Sequence, residues 1–453
     1  MTQGKFRFTS ALTSSGWQND VSISVDKSGM IESVVAGAKD GTLISGIAIP
    51  AVPNVHSHAH QRLMVGLAER AGPGTDSFWT WREAMYGFAL KLSPDDLEAV
   101  AGQAYVEMLK AGFACVGEFQ YLHHQPDGSP YDEPAEMSLR CVSAAEQAGI
   151  AITMLPTLYN YSGFGGQAST AGQRRFVNDA DRFLEIYGTL KAVCGANPLR
   201  RLGVSPHSLR AVTPELLKTV LDGIDDDARV HIHVAEQSKE VDDCLAWSGK
   251  RPVEFLLDQF DVSDRWCAIH ATHMTAGETQ RLAKSGAIAG LCPTTEANLG
   301  DGIFPADTFM KHGGAIAIGS DSQITISPAE DLRMLEYSQR LRDQTRNALA
   351  SGAGASTGRT LLDAVLIGGA ACLDSPGGAI AVGKRCDIAV LDDDHPAVLG
   401  RAGDSALDTW IFSAGNSAVK DVIVGGAHVV KDRRHINEDR IQKKFSETVR
   451  RLS

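Results

Sequence analysis

From about Ile49 to Gly319 the chain repeats one grammar: a short apolar run, a helix-like stretch, then another apolar run. The runs are the segment entering His56, Phe113–Phe119, Ile150–Leu155, Leu202–Val204, Val230–Val234, Trp266–His270, Ala287–Cys292 and Ala315–Gly319. Strands apolar on both faces and alternating with helices suit a parallel sheet covered on both sides. Eight such repeats predict an α/β fold, a closed (β/α)8 TIM-like barrel with its active site at the C-terminal strand ends. The competing architecture is an open doubly wound sheet. It would want a glycine-rich phosphate loop after its first strand, and no G-x-G-x-x-G stands there.

The helices between the runs carry their own punctuation. Ser93 is an N-cap with Pro94 behind it, and Gly112 closes what reads as the first helix. Further helices are expected at Leu139–Ala148, Phe176–Tyr187, after Thr213, around Glu240–Trp247 and Val253–Phe260, at Thr279–Ala283 and at Leu361–Cys372. Both chain ends have strand character instead. Lys5–Phe8, Val21–Val25 and Ile31–Val35 lie before the repeats; Ala379–Val382, Asp387–Leu391 and Val419–Val430 lie after them. Ser351–Gly358 reads as a loop or linker. The expected organisation is a small β-sandwich built from both ends, residues 1–50 and 375–453, around a catalytic barrel at residues 51–374.

A chain of 453 residues is long enough for this large-plus-small arrangement. No apolar run could span a bilayer, and Met1–Phe6 lacks the apolar core of a signal peptide. The eight cysteines form no C-x-x-C pair, and Cys115, Cys267 and Cys292 sit in apolar segments, so a reduced, cytoplasmic protein is expected. A net charge of −12 argues against nucleic-acid and anionic-membrane partners. It also means that an acidic ligand must be held by local cations.

Polar residues cluster where the strands should end. His56 and His58 close the first, His233 closes the fifth with Glu236 just beyond it, His270 closes the sixth, and Asp321 follows the eighth. In a strand, residues two apart face one side, so His56 and His58 aim at one point. Three histidines and a carboxylate suit one divalent transition metal with a position left for water. His56, His58, His233 and Asp321 are therefore the expected ligands, for zinc or Fe2+. Such an ion lowers the pKa of its water from 15.7 to about 7, giving a hydroxide able to attack an electrophilic carbon. His270 and Asp321 would orient and deprotonate that water, and Glu236 would shuttle protons to the leaving group.

These motifs, His56-Ser57-His58, His233-Val234-Ala235-Glu236, His270 and Gly319-Ser320-Asp321, resemble the amidohydrolase superfamily over essentially the whole chain. The end of the fourth strand, Val204-Ser205-Pro206-His207, offers no lysine, which favours the one-metal deaminase branch. Within that branch four stretches carry a closer resemblance: Asn54–Arg62, Ser77–Arg82, His207–Val212 and Thr295–Gly302. It implies a small acidic amidine as substrate, N-formimino-L-glutamate, hydrolysed to its N-formyl product and ammonia in histidine degradation. It also implies that Gln61, Arg82, Tyr121, His207 and Arg210 lie in the substrate pocket, and a homodimer is expected.

Other residues have blander readings. His60 is expected beyond the strand end and outside the ligand shell. Gln323 stands where such deaminases often carry a histidine. Trp79 and Trp81 read as packing in an aromatic loop that also carries Arg82, His123 and His124 as solvated beside a turn at Asp127-Gly128. Two rival functions remain: deamination of a nucleobase or other heterocycle, which would want stacking rather than two arginines, and a non-catalytic barrel relative, which would be expected to have lost ligands.

Overall fold

The computed structural model describes residues 4–70 and 77–452. Met1, Thr2 and Gln3 of the N-terminal stretch lie outside the described residues. Strands β1 (Gly4–Thr13), β2 (Gly16–Val25), β3 (Ile31–Val35) and β4 (Thr42–Pro50) open the chain. β5 (Val52–Ser57), β6 (Phe113–Gln120) and β7 (Ala151–Leu158) follow, with a two-stranded ribbon of β8 (Tyr161–Gly163) and β9 (Gln167–Ala168). Next come β10 (Arg200–Leu202), β11 (Ser205–Pro206), β12 (Val230–Val234), β13 (Trp266–His270), β14 (Ile288–Leu291) and β15 (Ala315–Ile318). β16 (Ile388–Leu391), β17 (Val419–Val424), β18 (Ala427–Lys431) and β19 (Arg434–His435) complete the set.

The two chain ends share one eight-stranded sheet, in the order β19-β18-β17-β16-β4-β1-β2-β3. The join is antiparallel, with Ala389 opposite Ile49. Phe8, Val21, Ile23, Ile44, Ile388 and Ile423 form an apolar cluster of their own, separate from the main core. Ala379–Val382, expected as a strand, is not one: Gly378 and Gly383 turn the chain at positive φ on either side. Ile380 still plugs the sheet's apolar cluster, so the apolar pattern there records burial rather than extension.

The central strands run parallel. β5, β6 and β7 pair in order, and β10 and β11 both pair with β7; β12, β13, β14 and β15 form a second run. Parallel bridges link the two runs at both sides, Val204 to Val230 and Ser208 to His233 at one, Ser57 to Asp321 at the other. Asp321 N donates to His56 O and His58 N donates to Asp321 O, both at 3.0 Å.

The helices form where their caps stand. Pro94–Ala111 starts on a Ser93/Asp96 capping box and ends at Gly112 with φ 100°. The helix expected at Phe176–Tyr187 instead spans Ala180–Gly195, because the Asp179 side chain accepts from Arg182 N and caps it there. One more helix precedes Ser93. Phe78–Ala89 opens on a Ser77/Thr80 capping box, so Trp79, Trp81 and Arg82 lie on a helix and not in a loop.

Candidate active site

The ends of β5 and β12 and the turn after β15 converge. His56 Nε2 lies 3.0 Å from His233 Nε2 and 3.4 Å from Asp321 Oδ1, and His58 Nε2 lies 3.5 Å from the same oxygen. His58 Nδ1–H donates to Phe119 O at 2.9 Å and His233 Nδ1–H donates to His207 O at 2.8 Å, which leaves each Nε2 lone pair facing the cluster. Burial pulls His56 down to about 3 and His233 well below the ordinary histidine range. The lone pairs of His58 and His233 and the Asp321 carboxylate therefore face one spot beside the His56 ring, an arrangement that asks for a cation. The donor chemistry fits a single divalent transition metal.

The backbone is bent to make this possible. Ala235, His270, Ala271, Asp321 and Gln323 all have positive φ without being glycine, and all stand at strand ends around the cluster. Such strain collects at functional sites. Gly319 is required by space: a Cβ there would lie 2.7 Å from His56 N.

His270 adds a second tier. Its Nδ1 lies 3.2 Å from Glu296 Oε1, and its Nε2 lies 3.8 Å from both Glu236 Oε1 and Asp321 Oδ2. Burial alone would lower its pKa, but Glu236, Glu296 and Asp321 carry it up to about 10. Burial raises Glu236 to about 7 against the pull of His270 and Arg210. Asp321 would rise on burial too, yet the histidines around it hold it below the usual carboxylate range. Glu296 was not singled out from the sequence, since one acid in a capped turn looks like any other; what marks it is that it is 5% exposed and also accepts from Cys292 N.

A pocket opens from the cluster, with His58, His233, His270, Glu236 and Asp321 at its floor and Gln61, Arg82, Tyr121, His207 and Arg210 on its walls. Its empty space is about 580 Å3 including the open mouth. Met85, Tyr86, Tyr159 and Phe176 supply apolar and phenolic wall that sequence reasoning did not select. The Arg82 guanidinium stands 4.5 Å over the Trp79 ring. Arg210 has Glu240 at 3.9 Å as its ion-pair partner. Arg82 Nε, Arg210 Nε and Gln61 Oε1 are buried without a hydrogen-bond partner.

The remaining histidines sort differently. His60 lies outside the metal-type clusters and contacts the Tyr121 hydroxyl at 2.9 Å, which also accepts from Gln61 Nε2 at 3.0 Å. Gln323 Nε2 donates to Ser57 Oγ at 3.0 Å and to Asp321 O at 2.8 Å, bracing the turn that carries Asp321. His123 and His124 are not solvated. Both are buried, and each contacts a backbone carbonyl at 2.8 Å, of Thr157 and Val177 respectively. Asp127-Gly128 is the expected turn, with Gly128 at φ 92°.

The sequence model described as the amidohydrolase family matches residues 47–429. The chain belongs to the amidohydrolase family. A formimidoylglutamate deiminase from Pseudomonas aeruginosa is 49% identical over 98% of each chain. A 5-methylthioadenosine/S-adenosylhomocysteine deaminase from Natronomonas pharaonis is 27% identical, covering 85% of this chain and 82% of the other. The crystal structure of an amidohydrolase from Brucella melitensis superposes with a TM-score of 0.94 at 47% identity, covering 99% of this chain and 100% of that one. A zinc-bound adenosine deaminase from Xanthomonas campestris, at 22% identity and a TM-score of 0.82, covers 99% and 98% and shares the fold. Amidohydrolases are metal-dependent, in keeping with the histidine–aspartate cluster of this member. No helix among the described residues is long and apolar enough to cross a membrane.

Proposed function

We propose that this amidohydrolase hydrolyses N-formimino-L-glutamate to N-formyl-L-glutamate and ammonia, a C–N bond hydrolysis in histidine degradation. The observation that carries the reading is the pocket. A histidine–aspartate cluster forms its floor, and two arginines whose buried Nε atoms make no hydrogen bond form its wall. The 49% identity to a formimidoylglutamate deiminase supports the same substrate. We further read the two parallel runs as one (β/α)8 barrel over residues 51–374, with the terminal segments 1–50 and 375–453 as a β-sandwich.

In this reading His56, His58, His233 and Asp321 hold one divalent ion, zinc or Fe2+. When bound, that ion supplies Lewis acidity and brings the pKa of a water towards 7. The protein's own groups do the rest. Asp321 and His270 orient the attacking water, and Asp321 Oδ2 takes its proton. Glu236, at about 7, is close enough to neutrality to hold a proton at physiological pH and pass it to the departing nitrogen. Arg82 and Arg210 bind the two carboxylates through charge-assisted bonds. Gln61, Tyr121 and His207 orient the amidine between them. Water thus contributes oxygen to the formimino carbon and hydrogen to the nitrogen, which leaves as ammonia.

The decisive experiment is ammonia release from N-formimino-L-glutamate, set beside a panel of nucleobases, nucleosides and neutral amidines. Turnover of the glutamate derivative far above the rest is expected. Preference for a heterocycle would overturn the assignment.

A further inference from the structure

Arg82 and Arg210 line both the candidate pocket and a second pocket outside it, and Trp79 and Lys239 line the outer one. The three cations crowd a single indole. From the Trp79 ring centroid, Arg82 Cζ lies at 4.5 Å, Arg210 Cζ at 5.7 Å and Lys239 Nζ at 5.7 Å. Carboxylates account for only part of the gathering. Lys239 is paired with Asp243 at 2.7 Å, Arg210 has Glu240 at 3.9 Å, and Arg82 has no carboxylate partner among the described residues. Three like charges around one point repel each other, while the negative face of an indole attracts every one of them. The ring itself is well seated. The Ser77/Thr80 capping box fixes the first turn of its helix, and Phe78 meets it edge to face at 5.1 Å.

We propose that Trp79 is a positioning residue. Its indole holds the Arg82 and Arg210 guanidinium groups apart and aligned before any anion arrives, and so sets the preference for a ligand with two carboxylates. The inference rests on the dicarboxylate reading of the pocket. Arg82 Nε and Arg210 Nε are buried and make no hydrogen bond, the second having only Glu240 at 3.9 Å, and they are the donors this arrangement leaves available. Without the ring, Arg82 would keep only the Tyr86 ring at 5.5 Å and Arg210 only Glu240, and the anion would have to gather them itself.

The test uses the full-length, metal-loaded protein and the variants Trp79→Phe, Trp79→Leu, Arg82→Met and the Arg82→Met, Trp79→Leu pair. Trp79→Leu is expected to raise KM for N-formimino-L-glutamate by about tenfold, the scale of a desolvated cation–π contact, with a smaller change in kcat. Trp79→Phe should recover most of the loss, since a ring face is restored. In the Arg82→Met background Trp79→Leu should add less than about threefold. Calorimetric binding of glutarate, a plain dicarboxylate, should weaken in parallel, and binding of butyrate should weaken less. Equal losses for glutarate and butyrate, no recovery in Trp79→Phe, or losses that multiply fully with Arg82→Met would reduce Trp79 to packing and overturn the proposal. Wild-type protein that binds glutarate through Trp79 but does not release ammonia from N-formimino-L-glutamate would sink the substrate assignment and leave this inference standing. Wild-type protein that binds no dicarboxylate would remove the inference itself.

Discussion

Truncating Arg210 is the sharpest single perturbation of the pocket. Arg210→Met keeps the aliphatic stem and deletes the guanidinium. The residue is 7% exposed and its Nε has no hydrogen-bond partner. Its acidic neighbour Glu240, 3.9 Å away, already accepts from Ala235 N at 3.0 Å and Glu236 N at 3.3 Å. Glu240 therefore keeps two donors in the variant while losing its nearby cation, and the melting temperature measured alongside separates a loss in the fold from a loss in the ligand. A substrate carboxylate left buried and unpaired costs about 2–5 kcal/mol. That corresponds to roughly thirty- to several-thousandfold in kcat/KM. A surface ion pair would be worth only about 0–1 kcal/mol and would leave turnover alone. The assay is initial-rate ammonia release by wild type and variant, each with N-formimino-L-glutamate and with two analogues, each lacking a different carboxylate. For the matching carboxylate, the analogue should lose as much as the variant, and the two losses should not multiply. Full multiplication for both analogues would show that Arg210 meets neither carboxylate, and the clamp would be refuted.

Three further outcomes follow from the same geometry. Elemental analysis after reconstitution should find one divalent transition metal per chain in wild type and far less in an Asp321→Ala, His233→Ala double variant; full occupancy in the double variant would reject the ligand set. Glu236→Gln and His270→Asn should each retain the metal and the melting temperature while kcat falls by roughly a hundredfold or more, the scale of a lost general acid or base. Burial lifts Glu118 from 4.5 to about 7 although Ser57 Oγ and Ala59 N donate to it. Because its folded pKa lies above its unfolded value, Glu118 leaves stability intact below pH 4.5 and erodes it by about 3 kcal/mol as pH rises to 7. Denaturant unfolding should show this pH-dependent loss in wild type and not in Glu118→Gln, which mimics the protonated carboxyl; identical slopes would reject the shift.

Much of the site was legible because its signals are local. His56 and His58 stand two apart on one strand face, and His233, His270 and Asp321 each close or follow an apolar run, so strand periodicity pairs the first two and the expected barrel, with its strand ends on one face, gathers the rest. The pocket walls were legible only through resemblance, since nothing in the spacing of Gln61, Arg82, Tyr121, His207 and Arg210 says that they face one space. Where the reading failed, a non-local partner decided the matter. His123 and His124 look like turn residues until the carbonyls of Thr157 and Val177 are brought beside them. Ala379–Val382 looks like a strand because the apolar pattern cannot distinguish a ladder from an irregular segment that fills a core. Ser77–Arg82 has a capping box that the density of aromatic residues obscured.

Glu296 shows how far that limit reaches into the chemistry. It sits in the helix Pro293–Leu299, and its partners are the His270 ring at 3.2 Å and the backbone N–H of Cys292 at 2.8 Å. One carboxylate oxygen thus ties the end of β13 to the end of β14. It fixes the orientation of the His270 ring, whose pKa of about 10 keeps a proton on both nitrogens, so that Nδ1 meets Glu296 and Nε2 is turned towards Glu236 and Asp321. After Glu236, the group that most raises the His270 pKa is thus a residue twenty-six positions further along the chain. A sequence motif can name the histidine; the acid that orients it becomes visible only when the two strands lie side by side.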